Sequence, residues 1–264
     1  MTNKCLHCGC KAAYELRYSG HWVCSRHFIE LFERRVKKTI RQNRLLSRGD
    51  RILVALSGGK GSITALSILD DIVKPIPATE LFAVTVDEGR KGMSKMAAYC
   101  RNIGIKHRFI IVGGSRDGKT GKASDKGELK WRLIEACARE VGANKIATGH
   151  DLADEVRSAF INVMRGDLGS YAGLGSMVKE GNGITRIKIL RECPDEEVKE
   201  YADLMGLPYL KKRAVSADDP CADAANGFID SLEKGHPGSR YQMLRSADAL
   251  KSALGKKVNN SRCK

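Results

Sequence analysis

The sequence lacks any apolar run long enough to span a bilayer, and its first residues lack the apolar segment of a signal peptide. No membrane attachment is expected from it, and a cytoplasmic setting is. Acidic residues are scarce: 31 Asp and Glu stand against 46 Lys and Arg, a formal net charge of +15. That imbalance argues against a cationic partner and for an anionic one, most simply nucleic acid; basicity for solubility alone is the blander alternative. An even cysteine set is lacking too. The nine cysteines include several at metal-ligand spacing, which points to a reducing compartment rather than a disulfide framework. There is no internal repeat and no low-complexity segment. What is present is one α/β domain's length of chain with a small appendage and enough apolar residues for a core.

The stretch around which the rest is arranged is Arg51-Ile52-Leu53-Val54-Ala55-Leu56-Ser57-Gly58-Gly59-Lys60-Gly61-Ser62. A short apolar run breaks at Ser-Gly-Gly and resumes with helical periodicity through Leu69, the pattern of buried strand, tight turn and helix. Such a turn gathers backbone N–H groups at a helix N-terminus, where an anion binds. Gly58 and Gly59 let a phosphate approach the backbone. Lys60 adds a charge, and Ser57 and Ser62 add hydroxyls. The spacing is not that of a Walker A loop. Without a ligand the same residues would be an ordinary strand-to-helix turn.

Near the N-terminus, Cys5 and Cys8 followed by Cys24 and His27 form C-x2-C…C-x2-H across a hairpin-length spacer. Two close pairs of this kind suit tetrahedral, structural Zn²⁺, with Ala13–Val23 forming a small ribbon between them. Cys10, His7 and His21 are spare candidates. Phe28–Leu46 reads as an amphipathic helix. Phe28, Ile29, Phe32, Val36 and Ile40 line one face, and Arg34, Arg35, Lys37, Lys38, Arg41 and Arg44, with Arg48 beyond, line the other. Such a run is either a solvated face or a nucleic-acid backbone contact; seven cations with few acids favour contact.

Beyond Ser47–Asp50 the chain alternates. Strands are expected at Arg51–Ser57, Leu81–Val86, His107–Val112 and Lys145–Thr148. Helices are expected at Ser62–Lys74, Met93–Asn102, Lys126–Val141 and Asp154–Met164. Residues 113–122 form a Gly/Lys-rich loop, a candidate lid. This alternation implies an α/β, doubly wound parallel sheet with right-handed crossovers, whose ligands sit at the carboxyl ends of strands. The Ser57 loop, Asp87-Glu88 and Gly149-His150-Asp151 all fall at such ends.

The Ser57–Ser62 loop resembles the Ser-Gly-Gly-x-Asp-Ser loop of the PP-loop ATP pyrophosphatases. Gly149-His150-Asp151-Leu152-Ala153-Asp154-Glu155 resembles the Gly-His-Asn-x-Asp-Asp segment of their tRNA thiolation branch, the 2-thiouridine and 2-thiocytidine synthetases of the TtuA and TtcA type. The Cys5, Cys8, Cys24, His27 set, Arg186–Glu192, and Glu233-Lys234 with His236-Pro237-Gly238 extend the likeness from about residue 3 to residue 245. The resemblance implies an adenine nucleotide alpha-hydrolase-like sheet that uses ATP and Mg²⁺ to adenylate the C2 oxygen of a tRNA pyrimidine, which sulfur then replaces. It places ATP at Ala55 and Ser57–Ser62, with Asp87, Gly149 and His150 bordering the site. It makes Lys130, Asp154 and Cys221 the catalytic group: Lys130 beside phosphate or oxyanion charge, Asp154 as a Mg²⁺ ligand or acid–base group, Cys221 as a sulfur carrier. Read without the resemblance, Lys130 is a surface helix lysine and Asp154 an N-cap.

Three positions depart from that pattern. Gly61 and Ala153 stand where the family has aspartates. The family's C-x2-C before the Lys130 helix reads Ala123-Ser124-Asp125-Lys126-Gly127 here. Cys221 alone cannot hold a cubane iron–sulfur cluster, so none is expected. Cys137 reads as a core thiol, and only Cys263 is left of the family's C-terminal ribbon. The expected division is a zinc ribbon over 1–28, a basic linker helix over 29–48, the PP-loop domain over 49–215 and a helical basic extension over 216–264. The partners are tRNA, a sulfur carrier or a catalytic paralogue, and a second copy in a homodimer. A non-catalytic tRNA- and nucleotide-binding subunit is the competing function.

Overall fold

The computed structural model describes residues 3–87, 89, 91–112, 123–179, 183–210 and 220–261, with the backbone alone at 123–126, 172, 220 and 254–261. Glu88, the loop over 113–122, Asp218, Asp219 and Cys263 lie outside the described residues.

The chain opens with an antiparallel hairpin, β1 (Tyr14–Leu16) and β2 (His21–Val23). Helix α1 (Ser25–Gln42) follows at once, three residues ahead of the expected start, so His27 sits in its first turn. Its apolar stripe, Phe28, Phe32, Val36 and Ile40, packs on the main domain. Phe32 stacks on Tyr201 with ring centroids 4.6 Å apart. The chain then crosses under the sheet, where Asp50 fixes it: its carboxylate accepts from Ser47 N at 2.6 Å, Asn144 Nδ2 at 2.9 Å and Lys145 Nζ at 2.6 Å.

The core alternates as expected: β3 (Arg51–Ala55), α2 (Lys60–Val73), β4 (Glu80–Asp87), α3 (Ser94–Asn102), β5 (Lys106–Ile111), α4 (Ala123–Glu140), β6 (Lys145–Ala147) and α5 (Leu152–Met164). Then come α6 (Leu168–Ala172), β7 (Met177–Lys179), β8 (Thr185–Ile187), α7 (Asp195–Leu204), α8 (Pro220–Gly235) and α9 (Ser239–Ser261). The six-stranded sheet has the order β5-β4-β3-β6-β8-β7 and is parallel except for β7, which pairs antiparallel with β8 at one edge.

Side chains one apart on a strand point to opposite faces, and the core divides accordingly. Ile52 and Val54 of β3, Ala83 of β4 and Ala147 of β6 join residues of α1, α2, α3 and α7 on one face. Leu53, Phe82, Val84, Val86 and Ile146 meet Ile134, Cys137 and Ala138 of α4 on the other. The sheet is therefore doubly wound. The chain builds outward from β3 through β4 to β5, then returns to place β6 on the other flank of β3. The strand order reverses between β3 and β6, the position where open α/β sheets leave a crevice for ligands. A third cluster seats α8 and α9 on α5 through Leu152, Val156, Ile229 and Leu244.

Candidate functional site

β3 ends at Ala55, and Leu56 still donates its N–H to Val84 O at 2.8 Å. The chain then turns through Gly58, whose φ of +79° only glycine adopts without strain. Gly59 is the N-cap of α2, extended and without a side chain to cap it. The first amides of α2 therefore have no side-chain cap, and the positive end of the helix dipole lies at this turn. Ser57 and Ser62 brace the turn: Ser62 Oγ receives from Ser57 N at 3.2 Å and donates to Gly59 O at 2.9 Å.

The loop after β6 closes against this turn backbone to backbone. A Cβ on Gly61 would lie 2.2 Å from Gly149 O, and one on Gly149 would lie 2.2 Å from Ser62 N. No side chain fits at 61 while that contact stands, which is the physical counterpart of glycine at the family's aspartate position. Past Gly149, His150 lies with Nδ1 2.8 Å from Thr148 Oγ1. Burial, and then the Lys188 ammonium, hold its imidazole below its usual value. Asp151 caps α5 in a capping box with Asp154, so Asp154 is not the N-cap that a helix start at 154 would make it; the helix begins two residues earlier. Asp154 pairs instead with Arg157. Burial first, then the Asp154 and Asp195 carboxylates, push Asp151 up to about 8.

These elements surround a cavity of about 700 Å³. Of the expected nucleotide residues, Ala55, Ser57, Gly59, Lys60, Gly61, Ser62, Gly149 and His150 line it, as do Lys130 and Asp154. Gly58 lies behind the turn, where a Cβ would meet Met93 Sδ at 2.6 Å. Asp87, at the end of β4, accepts from Gly89 N at 3.0 Å and is outside the lining, as is half-buried Cys221 at the start of α8. The sequence did not single out Trp131, Asp195, Lys199 or Tyr209, and named Arg186 only within a matched segment; all five also line the cavity. The Arg186 guanidinium lies 4.9 Å from the centre of the Trp131 ring. Asp195 Oδ1 lies 2.5 Å from Lys60 Nζ. A signal for Asp195 existed: Pro194 followed by Asp195, Glu196 and Glu197 is a helix start.

At the N-terminus the ligand atoms of Cys5, Cys8, Cys24 and His27 all lie within 4.8 Å of one another. His27 Nδ1 is 3.4 Å from Cys5 Sγ and 3.3 Å from Cys24 Sγ, and Cys8 Sγ is 3.9 Å from Cys24 Sγ. Four ligands on one tetrahedral ion stand roughly 3.4 to 3.8 Å apart for bonds of about 2.0–2.3 Å, so the set fits a single ion. Cys10 Sγ is 3.2 Å from Cys8 Sγ but stands outside the quartet whose ligand atoms converge. Among the described residues this quartet is the only such group. Cys137, at 2% exposure, is a core thiol as expected.

The basic face of α1 is narrower than the sequence suggested. Arg35 is half-buried, its Nη1 2.5 Å from buried Glu197 and its Nη2 2.9 Å from Tyr18 Oη, and Lys37 pairs with Glu33 at 2.9 Å. Arg34, Lys38, Arg41, Arg44 and Arg48 are exposed. Among the described residues no helix is long and apolar enough to cross a membrane.

The profile of a PP-loop domain matches residues 29–218. The chain is 31% identical over 277 residues to the tRNA 2-thiolation protein NcsA of Haloferax volcanii, across 94% of this chain and 86% of that protein. It is 29% identical over 250 residues to the tRNA-5-methyluridine(54) 2-sulfurtransferase of Pyrococcus horikoshii, across 92% and 81%. It superposes on the solved U34-tRNA thiolase NcsA from Methanococcus maripaludis, a protein described with its 4Fe-4S cluster, with a TM-score of 0.84 and 27% identity, across 96% and 88%. With its glycine cradle at the β3/β6 crevice and likeness along nearly its whole length, the chain belongs to the PP-loop family, in the branch that contains the tRNA 2-thiolation proteins.

Proposed function

We propose that this chain is an ATP-dependent tRNA thiolation enzyme. The observation that carries the proposal is the cradle: uncapped amides of α2, Lys60 and two serines converge on one cavity at the crevice of the sheet. The ATP triphosphate lies there, its charge met by the helix N-terminus and by Lys60. The C2 oxygen of a tRNA pyrimidine attacks the α-phosphorus, the bond to the β-phosphate bridging oxygen breaks, and pyrophosphate leaves. The outer sulfur of a Cys221 persulfide then attacks C2, the C–O bond breaks to release AMP, and an external thiol attacks the Cys221 sulfur, breaking the S–S bond to free the 2-thiopyrimidine and leave Cys221 in a disulfide that a second thiol reduces. Lys130 lines the cavity beside the reacting groups and steadies oxyanion charge. Asp154 would supply a carboxylate to a Mg²⁺ held chiefly by the phosphates, which needs only one or two. Cys221 carries sulfur as a persulfide supplied by a sulfur-carrier protein. The exposed cations of α1 hold the tRNA backbone.

We assign Zn²⁺ to the Cys5, Cys8, Cys24, His27 quartet, because its close spacing suits one ion. A four-iron cube, with iron–iron edges between its thiolates, spreads them wider. The cluster of the M. maripaludis protein makes iron the alternative there. Metal analysis separates them: one zinc per chain is expected, and iron with inorganic sulfide would overturn the assignment. Free thiols throughout the described cysteines suit a reducing, cytoplasmic setting.

A second reading, a tRNA- and nucleotide-binding partner of an active paralogue, draws on one observation: the Gly61–Gly149 contact leaves no room for a loop carboxylate, and Ala153 removes another. Mass spectrometry of tRNA nucleosides from cells with and without the gene tests the first reading. Loss of a 2-thiopyrimidine that returns with the wild-type gene and not with K60A supports it; an unchanged nucleoside profile would contradict it.

A further inference from the structure

The Lys60–Asp195 contact joins the first residues of two helices, α2 and α7. It sits inside the cradle, with side-chain exposures of 15% for Lys60 and 32% for Asp195, and both residues line the cavity. A lysine ammonium has a limited reach, and the phosphate seat is formed by the amides adjacent to Lys60. The carboxylate of Asp195 therefore competes with phosphate for the same ammonium.

We propose that Asp195 is an internal counter-ion for the cradle: a positioning residue that holds Lys60 in place while no phosphate is bound, yields it to the β- and γ-phosphates of ATP, and reclaims it as pyrophosphate leaves. The inference rests on the cradle binding ATP. Its consequence is specific to one product. Pyrophosphate engages Lys60 and must break the Lys60–Asp195 pair to bind, whereas AMP lacks the two phosphates that would do so. Asp195 thus lowers retention of pyrophosphate without affecting AMP, and the first half-reaction is kept from reversing.

The test is calorimetry of the full chain with inorganic pyrophosphate, ATP and AMP, in buffer without added magnesium. In D195N pyrophosphate is expected to bind roughly tenfold tighter, since a competing charge has been removed from a partly buried pair. AMP affinity is expected to stay within about twofold, and D195E to restore wild-type values. E196Q removes a like charge one residue away, from a side chain 3.3 Å from Arg240 and outside the cavity lining. Its pyrophosphate affinity is expected to match wild type, which separates the pair from the overall charge. Unchanged or weaker pyrophosphate binding in D195N, or equal tightening in E196Q, would overturn the proposal. A wild-type chain that bound neither ATP nor pyrophosphate would instead remove the cradle reading on which it stands.

Discussion

Gly61 and Gly149 let the turn after β3 and the turn after β6 touch through their backbones, and Lys60 projects from the rim they form. A Cβ at 61 would overlap Gly149 O, so either the two turns part or the helix start shifts. G61A is therefore expected to destabilise the fold by about 1–3 kcal/mol, the usual cost of overpacking, read as a lowered denaturant midpoint. G61D, which restores the family's carboxylate in name, should lose at least as much and gain no Mg²⁺-dependent ATP affinity. A stable G61D that bound MgATP tighter would show that the contact gives way easily. His107 supplies a pH test away from the site. Burial first, then Arg101, hold its imidazole below the usual value, with Nε2 2.9 Å from Thr85 Oγ1. The folded state favours neutral His107, so its contribution is complete above the ordinary histidine range and is lost as the pH falls through and below it. The loss of stability on acidification from pH 7 to 5 should be smaller in H107Q than in wild type; parallel curves would show that another group drives it. At this scale the sequence disclosed residue types better than partners. Lys60 was legible as a cation in a glycine turn, but its carboxylate comes from Asp195, more than a hundred residues on, and no local pattern links them.

Helix α1 separates two kinds of cation that look alike in sequence. Arg35 is half-buried against the buried carboxylate of Glu197 and against Tyr18, whereas Arg34, Lys38 and Arg41 face solvent. Removing Arg35 strands the buried Glu197 carboxylate, so R35A is expected to cost about 2–4 kcal/mol of stability, somewhat less than for a fully buried pair. The triple variant R34Q/K38Q/R41Q should melt like wild type, bind tRNA more weakly, and flatten the slope of log affinity against log salt by roughly 2 to 3. Unchanged salt dependence would leave that face merely solvated. The long elements, α2, α4 and β4, were legible because periodicity accumulates over their length. The three-residue strands β7 and β8 were not, since so short a segment carries no period; β8 is placed by pairing with β6, and β7 by pairing with β8. α7 escaped for a different reason. Its buried residues include Glu197 beside Val198, Tyr201 and Ala202, so a charge sits where the pattern wants an apolar side chain.

For the molecule as a whole, chain order makes the site. Reversal of strand order between β3 and β6 opens the crevice; alternation of side chains along β3, β4 and β6 supplies a core on both faces; and α4 brings Lys130 and Trp131 over the opening. That plan was readable from the alternation of strands and helices and from three motifs at strand ends. The inner wall formed by Trp131, Arg186 and Tyr209 was not, because it is assembled from three separate parts of the chain. The central claim is that this crevice holds ATP and directs its α-phosphorus to tRNA. The most direct measurement is the fate of ATP incubated with purified chain, a sulfur donor and unmodified tRNA. AMP and pyrophosphate should form in equal amounts, only with tRNA present, and fall at least about tenfold with K60A at unchanged melting temperature. Intact ATP alongside bound tRNA, or turnover indifferent to Lys60, would contradict it.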